Sequence, residues 1–391
     1  MRFFHLLLLS LAGLSLSSCI SVSKASMVAP AEAPAKWAQT KDTTMMPLPA
    51  GMALNTDENN ISWYRGEDLW VEGRAWKDTK AFWNRLPARV EGKVTSPVWG
   101  LQADTAGMAV RFVTNSKVVK ALWSGGGGMN HMAATGMSGL DLYKRDAAGG
   151  WKWVGTGRPN EKETTAEIFK NDAGERCEFL MFLPLYKEVT RLEIGLDKDA
   201  TVELPTKMSG PPIVFYGTSI TQGGCASRAG MAHPAIVRRW LDREVVNLGF
   251  SGSGKMEPIM QELLAEIDAS AYVLDCLPNM TEEMVDERLE VFVRNLRKAR
   301  PDTPILLVSH IKADMAGERN NKLKAIRDRL RAEGMKKLYF LDGPSTIAGD
   351  EEGTVDGIHP TDLGFDRMAK GFAPPLRAML NGDTSKLDWP E

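Results

Sequence analysis

The chain has 391 residues, enough for two ordinary domains. Its apolar and charged fractions are those of a globular protein, and its basic and acidic residues nearly balance to a net charge of -2. No basic block or stripe is visible, so nucleic acid as a partner has no electrostatic support.

Arg2 gives the N-terminus a small positive segment, and residues 6–16 form an apolar run too short for an ordinary membrane anchor. Together they read as an export signal. The run ends in Leu16-Ser17-Ser18-Cys19, which resembles the lipobox of bacterial lipoproteins. That resemblance implies a signal peptide over residues 1–19, cleavage before Cys19 and a lipid on its sulfur. A plain secretory signal with an incidental cysteine is the alternative. Residues 20–55 begin rich in Ala, Pro, Ser and Thr and read as a flexible tether. The expected location is therefore the bacterial cell envelope, with membrane contact only through the lipid. No stretch after the signal is long and apolar enough to cross a bilayer.

Residues 62–73, aromatic and charged, look like an ordered lead-in. Short β-rich runs follow at 108–113 and 118–123, flanking the turn signal Asn115-Ser116. More come at 140–143, 151–154, 178–183 and 189–194, with glycines 125–128 as a loop. This spacing predicts a β-sandwich or jelly roll over residues 56–208. Leu204-Pro205 and Ser209-Gly210-Pro211-Pro212 then punctuate the chain and mark the expected boundary. Eleven tryptophans are many; most read as core or seam residues, with sugar platforms as the alternative.

The second half alternates. Strands are expected at 213–216, 244–248, 271–275, 304–308 and 338–341, and helices at 233–243, 256–267, 282–300, 320–334 and 362–380. Alternation implies a parallel sheet covered on both faces, a three-layer α/β/α domain over residues 211–382. Ligands of such sheets sit at the carboxyl ends of the strands.

Ser219, in Tyr216-Gly217-Thr218-Ser219-Ile220-Thr221, lies where the first of these strands turns toward a helix. A serine hydroxyl needs a base to become a nucleophile. Of the five histidines, His359 has Asp356 three residues before it, in Asp356-Gly357-Ile358-His359-Pro360. On one compact loop that carboxylate can hold Nδ1 and leave Nε2 to the serine. His131, His233 and His310 read as structural. The oxyanion of an acyl-transfer intermediate needs hydrogen-bond donors. The glycines of Asn247-Leu248-Gly249-Phe250-Ser251-Gly252-Ser253-Gly254 offer backbone N–H groups, and Asn279 offers an amide. Tight turns, and an N-cap for the helix starting near Thr281, are the plainer readings of those glycines and of Asn279. With Cys19 set aside, Cys177, Cys225 and Cys276 allow at most one disulfide. There is no CxxC pair and no HExxH, so no zinc site is expected.

In order and context, Ser219, Gly252, Asn279 and His359 resemble the four blocks of the SGNH, or GDSL-type, hydrolases. The likeness spans about residues 211–380. It implies a flavodoxin-like fold, Ser219 as nucleophile, Gly252 and Asn279 as oxyanion donors beside the Ser219 N–H, His359 as general base and acid, and Asp356 as its orienter. Gly249 and Gly254 compete with Gly252 for the second block. Thr218 and Met280 stand where the family usually has aspartates. Ser138-Gly139-Leu140-Asp141-Leu142-Tyr143 resembles the signature of the GxDLY domain, a β-rich module preceding the hydrolase domain in a bacterial subfamily. The stretches 217–221 and 277–280 look typical of that subfamily too. If the β domain packs over the site, His131 and Asp141 flank its mouth; sheet structure is the plainer reading.

The resemblance implies a serine esterase removing short acyl groups, acetyl foremost, from carbohydrates, with an acylated glycan or small ester as substrate and no metal or organic cofactor. Two alternatives remain at this level. One is a lipase, phospholipase or thioesterase of the same fold, for which no long apolar lid is visible. The other is a lipid-anchored carbohydrate-binding protein with a relic hydrolase domain, against which the intact Ser219, Asn279, Asp356 and His359 argue. An acyltransferase also stays open, because acceptor choice lies in loops.

Overall fold

In the computed structural model, alternation of inward and outward residues builds the N-terminal half into two facing antiparallel sheets. The structure describes residues 46–48, 51–160, 162–170, 173–347, 350–383 and 387. The expected signal peptide, Cys19 and residues 20–45 of the expected tether lie outside them. The strands are β1 (Met46–Pro47), β2 (Asn55–Thr56), β3 (Ile61–Arg65), β4 (Trp70–Glu72), β5 (Ala109–Thr114), β6 (Val118–Ser124), β7 (Leu140–Arg145), β8 (Trp151–Gly157), β9 (Glu163–Lys170), β10 (Cys177–Phe182), β11 (Leu192–Asp197) and β12 (Val202–Leu204). One sheet runs β1-β12-β5-β10-β7-β8 with β4 also on β5, and the other runs β2-β3-β11-β6-β9.

One expectation needs correcting. The last part of the expected tether is strand, since β1 pairs with β12 and β2 with β3. The Asn115-Ser116 turn closes no hairpin, because β5 and β6 belong to different sheets. The sequence reading also missed β9, an edge strand whose pattern is blurred because few of its residues are covered.

Val119, Ala121 and Trp123 of β6 point inward and meet Val110 and Phe112 of β5 in the sandwich core. β5 is buried along its whole length because its other face is covered as well. Ala109, Tyr143, Leu180 and Phe182 of this first sheet share a hydrophobic cluster with Ile213, Phe215 and the helix Asp362–Asn381. The sandwich and the α/β part therefore bury one common layer of side chains.

Five parallel strands form the C-terminal sheet: β13 (Ile213–Gly217), β14 (Val245–Gly249), β15 (Ala271–Asp275), β16 (Ile305–Val308) and β17 (Leu338–Leu341), in the order β14-β13-β15-β16-β17. All are apolar runs buried on both faces, as strands between two helical layers must be. Phe215 and Val273 face one layer while Tyr216 and Leu274 face the other. Gly217 stands opposite Gly249 on one side and Asp275 on the other, so the segments after these three strands leave the sheet at one level. The helix expected over 282–300 is interrupted by a wide, π-type turn at Val285–Leu289, which keeps both of those residues buried ahead of Phe292, Val293 and Leu296. The helix expected from 320 begins at Ala313, across a kink at Ala316. Among the described residues no helix is long and apolar enough to cross a membrane.

Charges are buried where sandwich and α/β part meet. Glu72 of β4 accepts from Arg111 of β5 at 2.8 Å and from Arg238 of the helix His233–Leu241 at 2.8 Å. All three side chains are only 3% exposed, and Glu72 touches both cations, while Arg111 also meets Glu178 and Arg238 also meets Asp242 at 3.5 Å. Glu72→Ala is expected to cost about 2 kcal/mol, because it removes the charged acceptor the two arginines share and leaves Arg111 only Glu178 and Arg238 only the longer contact to Asp242. Urea unfolding of the variant against the wild type measures it, and a change below about 0.5 kcal/mol would refute the assignment.

Candidate active site

Ser219 begins a short helix, Ser219–Gln222, directly after β13. Thr218 caps it, its Oγ1 accepting from the Ile220 N–H at 3.3 Å. The threonine standing where the family has an aspartate thus still supplies the cap oxygen. Met280, at the other departure, is buried in the core.

His359 comes from the loop between β17 and the helix Asp362–Asn381. An isolated bridge between Thr354 and Pro360, with the Val355 N–H on His359 O at 2.8 Å, pinches the loop shut. Gly357 at its tip has φ +87, a conformation that favours glycine. Asp356 Oδ1 accepts from the N–H of Ile358 at 3.0 Å and of His359 at 2.8 Å, which fixes the carboxylate against its own loop. Its Oδ2 meets His359 Nδ1 at 2.7 Å, and His359 Nε2 meets Ser219 Oγ at 2.9 Å. Partial burial works against the Asp356 charge, but the bonds from the His359 ring and from the two backbone N–H groups outweigh it and lower the acid to about 2. The imidazole is therefore steered by a permanent carboxylate.

Three glycines compete for the second block, and their surroundings differ. A Cβ on Gly249 would drive into the backbone of Gln222, and one on Gly254 into Gly217 O. Both positions need glycine for close packing behind the turn, and both N–H groups are spent, on Asn247 Oδ1 at 2.8 Å and on Phe250 O at 2.9 Å. Ser251 donates its N–H to Gln222 Oε1 at 3.0 Å and Ser253 donates to Phe250 O at 2.9 Å. Gly252 has φ +66 and open space where a side chain would go. Among the described residues its N–H has no protein acceptor. Asn279 is not the helix cap; Thr281 is. The Asn279 amide makes only a long contact, 3.4 Å, to Phe250 O, which ties it to the same loop.

Of the remaining histidines, His233 is packed among Phe215, Phe365 and Phe372, and burial lowers it to about 3. His310 accepts from the Lys312 N–H at 2.9 Å and is lowered to about 4, by burial and then by Arg319. Both are structural. His131 is not: it is exposed, with its ring centroid 5.9 Å from that of His359. Asp141 behaves differently from its expected companion. It is fully buried in β7 and holds Arg228 at 2.9 Å and the Gly230 N–H at 2.8 Å, anchoring the loop after the nucleophile instead of lining the mouth.

Sequence reasoning missed what the sandwich contributes. The Tyr186 hydroxyl donates to Ser219 O at 3.1 Å. Arg85 donates to Asn247 O at 3.2 Å and to Gly249 O at 2.7 Å. Gln222 Nε2 donates to Asp104 Oδ2 at 2.9 Å. None of these has a local signature, since each joins positions far apart in the chain. Cys225 was noted only for disulfide counting; it, Cys177 and Cys276 are free thiols. Cys225 lies beside His359, and burial, then the Asp356 charge, push its thiol up to about 11, so it is no rival to Ser219 as a nucleophile. Beside Tyr186 opens a cleft of about 770 Å³, lined by Asp104, Ser124, Met137, Lys187 and Glu188 among others.

Comparison with known proteins bears on this arrangement. Residues 210–377 match the GDSL-like lipase/acylhydrolase family, and residues 61–202 match GxDLY, the N-terminal module of SGNH-hydrolase-type esterases. No curated protein matches the chain. A crystal structure of a GDSL-like lipase from Bacteroides ovatus is 36% identical, covers 82% of this chain and 98% of its own, and superposes with a TM-score of 0.76. A salicylyl-acyltransferase from a tetracycline biosynthetic pathway shares the fold at 19% identity, covering 83% of this chain and 99% of its own, with a TM-score of 0.67. An acetyl xylan esterase from Butyrivibrio proteoclasticus shares it at 12% identity, covering 82% and 99%, with a TM-score of 0.53. By its likeness to the Bacteroides protein over nearly that protein's whole length, and by two family matches in chain order, this chain belongs to the GDSL-like lipase/acylhydrolase family, as an SGNH-type esterase preceded by its β-rich module.

Proposed function

We propose that this chain is a serine esterase that removes short acyl groups, acetyl foremost, from carbohydrates through an acyl-enzyme. The observation that carries the chemistry is the unbroken line Ser219 Oγ, His359 Nε2, His359 Nδ1, Asp356 Oδ2, at 2.9 Å and 2.7 Å. Ser219 Oγ attacks the ester carbonyl and its proton passes to His359 Nε2. The oxyanion is received by the N–H groups of Ser219 and Gly252 and by the Asn279 amide. His359 then gives the proton to the departing alcohol. Water, deprotonated by the same nitrogen, releases the acid and restores Ser219. Each oxyanion donor contributes about 3 kcal/mol to lowering the barrier.

The carbohydrate part of the reading takes its support from the cleft beside Tyr186, which adjoins the site through the Tyr186 bond to Ser219 O and is lined by none of Ser219, Gly252, Asn279 and His359. Its open, mixed lining of Asp104, Ser124, Lys187 and Glu188 suits a polyhydroxylated alcohol better than an acyl chain. The acetyl xylan esterase with the same fold is a precedent for the class, not for this substrate. The expected lipid on Cys19 would hold the enzyme at the cell envelope, within reach of such glycans.

Ser219→Ala should abolish hydrolysis of p-nitrophenyl acetate while leaving the circular dichroism spectrum intact; full retained activity would sink the mechanism. On the wild type, acetylated xylan, pectin, sialic acids and mucin-type glycans should release acetate faster than p-nitrophenyl esters of long acids lose their acyl group. Preference for the long acids would turn the reading to a lipase, and transfer to an added alcohol in place of water would turn it to an acyltransferase.

The glycines give a second test. Gly252→Ala places a side chain in open space at positive φ, so it should cost about 1 kcal/mol and keep its N–H and measurable esterase activity. Gly254→Ala collides with Gly217 O and should lose far more in urea unfolding, with activity gone. Equal effects of the two would remove the distinction drawn between them.

Asp356 gives a third. An acid held below its ordinary value contributes stability that is complete above that ordinary value, roughly 4, and is lost as pH falls through the folded value. Because Asp356 is lowered to about 2, the stability difference between wild type and Asp356→Asn should be constant near neutrality and close toward pH 2. Urea unfolding over a pH series reads it, and a difference that widened in acid would contradict the assigned bonds.

A further inference from the structure

His131 comes from the sandwich, Cys225 from the turn after the nucleophile helix, and His359 from the last loop of the α/β part. Their ligating atoms nevertheless lie within 4.8 Å of one another. We propose that these three side chains form an inhibitory site for a thiophilic divalent cation, zinc foremost, which stops the esterase by drawing His359 Nε2 away from Ser219.

The donor set is the first argument. Two imidazoles and a thiolate are the ligands that tetrahedral zinc takes, and a hard cation such as magnesium or calcium does not. The second argument is the state of the two rings. His359 Nδ1 is held by Asp356 Oδ2 at 2.7 Å, and His131 Nδ1 by Asn130 Oδ1 at 2.8 Å. Each ring thus has an oxygen acceptor on Nδ1, the outer-shell arrangement that fixes a ligating histidine and turns its Nε2 lone pair outward, toward Ser219 Oγ in the case of His359. The third argument is reach. Zinc bonds of about 2.0 Å to nitrogen and 2.3 Å to sulfur put tetrahedral ligands roughly 3.5 Å apart. Against the 4.8 Å limit the remaining gap is at most about 1.3 Å, within the reach of small side-chain rotations, the exposed His131 foremost.

Binding is balanced without redox chemistry. The Cys225 thiol gives its proton to water as the sulfur–metal bond forms, each Nε2 donates its lone pair, and water takes the fourth position. The hydrogen bond from Ser219 Oγ to His359 Nε2 breaks, so the serine loses its base. Inhibition rests on His359 being that base; binding does not. The sequence lacks any zinc motif because the ligands are brought together only by the packing of the sandwich on the α/β part.

The experiment uses the full chain stripped with a chelator. Zinc ions should inhibit p-nitrophenyl acetate hydrolysis with one equivalent bound, reversibly with chelator, while magnesium does nothing. His131→Ala and Cys225→Ala should keep basal hydrolysis and raise the inhibitory zinc concentration about tenfold or more. Undiminished zinc inhibition in both variants would overturn the proposal. Cobalt(II) added to Ser219→Ala should give a thiolate-to-cobalt charge-transfer band that Cys225→Ala lacks; absence of the band would also overturn it. A cobalt band together with uninhibited wild-type hydrolysis would retain the metal site, refute the inhibition and remove His359 from its role as base, so the two readings fail separately.

Discussion

A guanidinium with almost no water around it fixes the geometry on which the proposed chemistry depends. Arg85 is 2% exposed and lies in the sandwich half, yet its hydrogen bonds run to Asn247 O and Gly249 O at the end of β14 and to Leu101 O. Its ring partner is Phe250, 4.7 Å away. Burial lowers Arg85 to about 10 against the pull of Asp104, so it remains a cation at neutral pH. A buried cation held by backbone carbonyls is tolerable only while those carbonyls stay in place. Movement of the Asn247 and Gly249 carbonyls, which lead into the loop carrying Ser251 and Gly252, would cost it two of these three hydrogen bonds. The side of the site proposed to receive the oxyanion is thereby clamped from outside the α/β part, and a second clamp runs from Asp104 through Gln222 to the Ser251 N–H.

The same logic explains why the β-rich half accompanies the hydrolase half. Tyr186 grips Ser219 O, Asp141 grips Arg228 and Gly230, and Thr135 donates to Ser227 O at 2.5 Å. These contacts pin the carbonyls of Ser219 and Ser227, the N–H of Gly230 and the guanidinium of Arg228 in the turns around Ser219. Catalysis by preorganised donors requires that those donors be rigid before the substrate arrives. The parallel sheet brings Ser219, Gly252 and Asn279 to one edge; the sandwich removes their remaining freedom.

This division also separates what the sequence disclosed from what it hid. The strands of the parallel sheet are short apolar runs between amphipathic segments, and three of the five were legible to within a residue; β15 and β17 matched at both ends. Asp356 and His359 were legible because the carboxylate and the imidazole share one loop, so spacing alone constrains their contact. Ser219 was legible from its place after β13. Gly252 could be separated from Gly249 and Gly254 only by seeing which N–H groups were already spent, a question of partners that spacing does not answer. The turn signal at Asn115-Ser116 separates β5 from β6 as expected, but it specifies a reversal of direction and not whether the chain rejoins its own sheet, and the two strands lie in different sheets. His131 read as structural because the ring it faces lies more than two hundred positions away.

The two departures from the family pattern show how a local rule can be met by different chemistry. An aspartate before the nucleophile would cap the short helix with a charged oxygen. Thr218 caps it with a neutral one, bonded to the Ile220 N–H. The difference matters because this position is fully buried and follows Gly217, which pairs with the equally buried Asp275 at the end of β15. Burial pushes Asp275 up to about 7, with the bond from Thr221 as the only opposing influence. A second carboxylate beside it would meet like-charge repulsion in a region without a balancing cation among the described contacts. Threonine keeps the cap and adds no charge to that layer. The exchange leaves the permanent negative charge of the site on the far side of His359, at Asp356, where it steers the imidazole instead of competing with it.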